Sequence, residues 1–117
     1  MHALAVGDRV RLFGGYDMVP KWLGDRDEVF GVVERFIPGQ NEQPAVIVRL
    51  DEELTVGEVT GEVVVLELGH LGTDWSTPEP RIHVELCDFE PEPRRWQERR
   101  QGAWVESHAS YQLLGAS

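Results

Sequence analysis

The sequence is short of cysteine, of basic residues and of long apolar runs, and each shortage removes a class of protein. Cys87 is the only cysteine among 117 residues, so no intrachain disulfide can form. The expected setting is a reducing cytoplasm, not that of a disulfide-stapled secreted scaffold. No apolar stretch approaches the roughly 18 residues that a membrane-spanning helix needs. The opening MHALAVGD has neither a basic n-region nor a long apolar core, so no secretory signal is expected there. Lys and Arg number 11 against 21 Asp and Glu, a formal charge of −10. Such a field repels nucleic acid and anionic membrane and attracts basic partners.

Reactive constellations are missing as well. No P-loop, dinucleotide fingerprint or zincin motif occurs. Ser107, His108 and Ser110 are near in sequence, but adjacency is not triad geometry and no nucleophile elbow is present. Cys87 stands among Glu85, Asp88 and Glu90, whose charges disfavour a thiolate. Asp25-Arg26-Asp27-Glu28 begins like a calcium loop, but phenylalanines stand at Phe30 and Phe36, where that loop needs its glycine and its bidentate glutamate. His83 and Cys87 share a strand face yet lie roughly 13 Å apart, too far for one zinc ion. His70 and His83 fall on opposite faces once Leu66 and Leu68 are matched to Ile82, Val84 and Leu86. No catalytic residue, metal ligand or cofactor is therefore assigned.

What is present reads as strands. Gly61–Leu71 contains Val63 to Leu66, four apolar residues of which three are β-branched, as suits a central strand buried on both faces. Val6–Phe13 alternates, with Val10 and Leu12 on one face and Arg9 and Arg11 on the other. Val29–Ile37 is a further strand, with a bulge expected at Gly31. Ala45–Leu50 turns Val46, Val48 and Leu50 inward, and Asp51-Glu52-Glu53 is expected to cap it in solvent. Arg81–Phe89 places Ile82, Val84 and Leu86 inward and His83, Glu85 and Cys87 outward. With no helical period before residue 93, about five such strands predict a single all-β domain, a small antiparallel barrel over residues 1–92. After Pro91 and Pro93, Arg94–Gln101 predicts a short helix, and Ala103–Leu114 a final strand or a tail packed on the barrel.

The charge is uneven. Residues 1–93 hold 7 Lys and Arg against 19 Asp and Glu, while 94–117 hold 4 Arg against 2 Glu. Arg94, Arg95, Arg99 and Arg100, with Trp96, are read as contacts that tie this tail to the acidic body. A second use of the tail is to pair two copies of the chain as a homo-oligomer.

VGDRVR at Val6–Arg11, VPKWLGD at Val19–Asp25, GVVER at Gly31–Arg35, VRLD at Val48–Asp51 and HVEL at His83–Leu86 follow in an order that resembles SH3-like small barrels. The resemblance is to the barrel domain of nitrile hydratase β-subunits and related electron-transport accessory proteins. It implies a module that docks onto, or covers, a larger protein. The cysteine loop that binds metal in nitrile hydratase lies on its other subunit, so no catalytic residue carries over. The large helical region that precedes the barrel in those β-subunits has no counterpart here. The ALYDY-type run of signalling SH3 domains is missing too.

Tyr16, Met18 and Trp22, in a long segment after the first strand, and Trp75, in the GTDWSTPEP segment, are the candidate partner-binding residues. Neighbouring Asp17, Asp25, Asp27, Asp74 and Glu79 favour an Arg- or Lys-bearing partner, with cation–π support from the rings. The leading expectation is a non-enzymatic protein-interaction module or accessory subunit. The alternatives are a subunit or regulator of a nitrile-hydratase-like enzyme and a nucleic-acid-associated barrel of the KOW or Tudor kind. The latter fits poorly, since basic residues gather only around Trp96.

Overall fold

Valine-rich segments with alternating partners bury best as strands, because a branched side chain packs well on a pleated surface and loses little rotamer freedom there. The computed structural model describes residues 4–13, 26–38, 44–56, 58–68, 82–88, 90–91 and 104–116, with backbone alone at 68 and through most of 104–116. Its strands are β1 (Asp8–Phe13), β2 (Glu28–Ile37), β3 (Ala45–Val56), β4 (Val59–Leu68), β5 (Ile82–Cys87) and β6 (Trp104–Ala116). The protein is all-β, and no helix occurs among the described residues. Each strand pairs antiparallel with the next, from β1 through β5. β6 pairs along β5 and also along β1.

The expected central strand is β4, held by β3 on one edge and β5 on the other. Val63 to Leu66 are all at most 3% exposed. Val64 and Leu66 join the larger cluster, which gathers Val10, Leu12, Val33, Val46, Val48, Ile82, Val84 and Leu86. Val63 and Val65 face the other way, into a smaller cluster with Ile37, Ala45, Ile47 and Cys87. This explains why the run does not alternate: both faces of β4 are covered. Each such side chain contributes ~1.5–3 kcal/mol on burial, so the sixteen residues of the larger cluster outweigh any ion pair on the surface.

The chain enters β1 through a turn legible in its Gly-Asp pair. Gly7 has φ 95°, a conformation that favours glycine, and donates its N–H to the Val33 carbonyl at 2.8 Å. Asp8 is buried and accepts the Ala5 N–H at 2.9 Å, closing the turn with its side chain.

Three expectations need correction. The register of β2 against β1 is regular through Gly31, and the irregularity falls later, between Val33 and Arg35 in the β2–β3 ladder. Gly31 instead permits close approach: a Cβ there would lie 2.6 Å from the Arg49 carbonyl oxygen. Second, Asp51–Glu53 does not end its strand. β3 continues to Val56, and the register slips between Arg49 and Leu54, so the exposed acidic run bulges out while Leu54 and Val56 return to the core. Third, Glu85 and Cys87 lie on the outward face but are only 3% and 1% exposed, because that face has its own apolar cover. The helix expected at Arg94–Gln101 lies outside the described residues.

Candidate functional site

The slip in β3 sets up the candidate site. Where the strand swells outward, Arg49 emerges from the apolar AVIVRL run on the solvent side. Its guanidinium reaches three carboxylates on three different segments. Glu34 of β2 lies at 3.1 Å, Glu62 of β4 at 3.1 Å and Glu90, beyond β5, at 2.6 Å. Arg35 holds that last segment in place by donating to the Pro91 carbonyl. The Arg49 guanidinium is held above its ordinary pKa first by the hydrogen bond to Glu90. Desolvation opposes this, and Glu34 adds to it.

Beside Arg49 opens a cleft of about 330 Å³, to which Glu53, Glu62, Asp88 and Glu90 contribute carboxylates. Gly61 forms part of its wall, where a Cβ would lie 2.0 Å from the Cys87 carbonyl oxygen. Only glycine lets β4 and β5 approach so closely at this corner. Four carboxylates facing one guanidinium leave the cleft negative, and a cationic group is the ligand its chemistry favours.

A second cleft of about 260 Å³ lies on the other side of the Asp51–Glu53 run, bounded by Arg26, Glu28, Phe30, Asp51 and Glu52. Here each acid has its own base. Arg9 pairs with Asp51 at 2.7 Å, Arg26 with Glu52 at 2.8 Å and Arg11 with Glu28 at 2.5 Å. The Arg9 guanidinium is raised by its hydrogen bond to Asp51 and then by the Asp51 charge. Arg11 also lies over the Phe13 ring, 4.1 Å from its centroid. This side is balanced, whereas the Arg49 cleft sets four carboxylates beside one guanidinium.

No family model matches the chain, and neither the curated proteins nor the solved structures contain a significant match.

The site offers little covalent chemistry. The Cys87 thiol borders the cleft but is buried and directed at the Glu85 carbonyl, 3.9 Å away. Among the described residues no three His, Cys, Asp or Glu side chains are gathered so as to hold a metal ion. Nor is any helix among them long and apolar enough to cross a membrane.

Tyr16, Met18, Trp22, Trp75, Arg94, Arg95, Trp96, Arg99 and Arg100 all lie outside the described residues. The strand ends that flank the two aromatic segments are described. Phe13 and Glu28 lie at one end of the antiparallel ladder, Leu68 and Ile82 at the other. Glu28 belongs to the second cleft, next to Asp51 and Glu52. Sequence reasoning missed Arg49. Its signal was a single outward-facing arginine between buried Val48 and Leu50, in a chain where acids outnumber bases almost two to one.

Proposed function

We propose that the chain is a non-enzymatic interaction module, an accessory protein or subunit that binds a larger basic protein in the cytoplasm. The observation that carries this reading is the Arg49 cleft. Three carboxylates from separate segments, Glu34 on β2, Glu62 on β4 and Glu90 beyond β5, are held in place by one shared guanidinium, and Glu53 and Asp88 extend the acidic surface. Fixed carboxylates lose little conformational freedom when a lysine or arginine enters, so an incoming cation meets a preorganised site.

An SH3-like barrel suits such a role, and the pairing of β6 with both β5 and β1 supports that fold, as do the close strand crossings at Gly31 and Gly61. Tyr16, Met18, Trp22 and Trp75 are the candidate aromatic contacts to the same partner. Arg94, Arg95, Arg99 and Arg100 are the chain's own cations for the acidic body, with Trp96 as their anchor. In the nitrile-hydratase-like variant of this reading, the partner is a catalytic chain.

The test is capture of partners from the native source at low and high salt, using the natural protein and an E53Q/E62Q/E90Q variant in parallel. A basic protein recovered at low salt by the natural chain, and lost with the variant, supports the proposal. Recovery of the same proteins by both chains, or of none by either, counts against it.

A further inference from the structure

The strand registers place two arginines where the chain leaving β5 must pass. Arg49 of β3, Val63 of β4 and Cys87 of β5 form one row across the outward face of the sheet. The next row holds Arg35 of β2, Ile47 of β3, Val65 of β4 and Glu85 of β5. Residues directly opposite in an antiparallel pair share a face. Arg49 and Arg35 therefore stand on the β2–β3 side of the outward apolar cluster, and Cys87 on its β5 side.

Both arginines grasp the chain that follows Cys87. Arg49 pairs with Glu90 at 2.6 Å, and Arg35 donates to the Pro91 carbonyl. Neighbouring strands lie about 4.7–4.9 Å apart, so Glu90 reaches back over Val63 to meet an arginine two strands away from β5. Gly61 of β4 leaves room for this crossing. A Cβ there would lie 3.4 Å from the Asp88 Cα as well as 2.0 Å from the Cys87 carbonyl oxygen. Pro91 is buried, and Val63 and Cys87 are 3% and 1% exposed.

We propose that Asp88, Glu90 and Pro91 belong to a strap latched across the outward face by Arg49 and Arg35, and that the latch controls access to Val63 and Cys87. The two clasps differ in kind. Glu90 is held by a half-exposed ion pair, which salt screens. Pro91 is held by a charged donor on a backbone carbonyl, which salt affects less. Asp88 and Glu90 are also two of the four carboxylates of the Arg49 cleft, the others being Glu53 of β3 and Glu62 of β4. An open strap takes half of that acid away, so a cation seated among all four holds the strap shut. This coupling rests on the partner reading, whereas the latch does not.

The experiment follows labelling of Cys87, the only thiol, by a neutral maleimide in the full chain. The natural protein is compared with E90Q, R35M, the double variant and E34Q, and urea unfolding of each separates strap opening from global unfolding. E34Q is the control, because it takes a carboxylate from the same guanidinium but from β2 and not from the strap. E90Q and R35M each label about two- to fivefold faster than the natural chain, the double variant faster than either, and E34Q at the natural rate. In about 1 M NaCl the natural rate rises towards that of E90Q. Tetralysine, added at constant ionic strength, slows labelling of the natural chain more than that of E90Q. Natural-rate labelling in both E90Q and R35M, or an equal rise in E34Q, would overturn the latch. A tetralysine effect that is absent, or equal in E90Q, would overturn the coupling to the cleft while the latch stands.

Discussion

Replacing Arg49 by Met keeps most of the aliphatic stem and removes the charge that Glu34, Glu62 and Glu90 share. The arginine side chain is 32% exposed and its partners 39–55%, so each pair has the strength of a partly screened surface bridge. Such pairs contribute ~0.2–1 kcal/mol each. Three pairs on one guanidinium are not independent, and their loss leaves three carboxylates repelling one another, so a total of ~1–2 kcal/mol is expected. For a domain of this size that lowers the melting temperature by about 4–10 °C in dilute buffer. Salt discriminates the electrostatic account from a packing account. At about 1 M NaCl the screening length falls to ~3 Å, and the gap between natural protein and variant should shrink by more than half. The pH dependence has a definite sign. A guanidinium raised on folding stabilises fully at every pH below its ordinary value, and the stabilisation is lost only as pH rises through that range. The gap should therefore stay flat between about pH 6 and 9. Melting curves followed by circular dichroism measure all three. An unchanged melting temperature, or a loss that persists undiminished in high salt, would refute the reasoning.

Gly61→Ala should destabilise despite the stiffer unfolded chain, because the new methyl would sit 2.0 Å from the Cys87 carbonyl oxygen and β5 must move. A net loss of ~1–3 kcal/mol in urea unfolding is expected, and a neutral or stabilising result would contradict the close crossing. Cys87, 1% exposed, should react with a thiol reagent only as fast as the protein opens. Labelling of the native protein at the rate of a free thiol would show that the second apolar cluster is not closed over it.

The sequence carried the strands well and the site poorly, for physical reasons visible in particular residues. Val63–Leu66 announced a two-sided strand because only burial on both faces suits four apolar residues in a row, and β4 has that burial. Gly7-Asp8 announced the turn into β1 through local chemistry alone. The register of Leu66 and Leu68 against Val84 and Ile82 followed from matching apolar faces. Where long-range geometry decided, local pattern misled. Gly31 looked like a bulge, but its use is close approach to Arg49 on another strand. Asp51-Glu52-Glu53 looked like a solvent cap, but Leu54 and Val56 pull the strand onward into the core. The Arg49 cleft draws on β2, β3, β4 and the segment after β5, a convergence that no spacing in one stretch of chain reveals.

The central claim is that the Arg49 cleft holds a cationic partner by charge. Its most direct measurement is the dissociation constant of the captured partner, purified, for the natural chain and for E53Q/E62Q/E90Q across a range of NaCl concentrations. The account predicts that affinity falls steadily as salt rises, that the variant binds at least about tenfold more weakly at low salt, and that the two converge at high salt. Equal affinities at every salt concentration would place the contact elsewhere on the molecule and contradict the account.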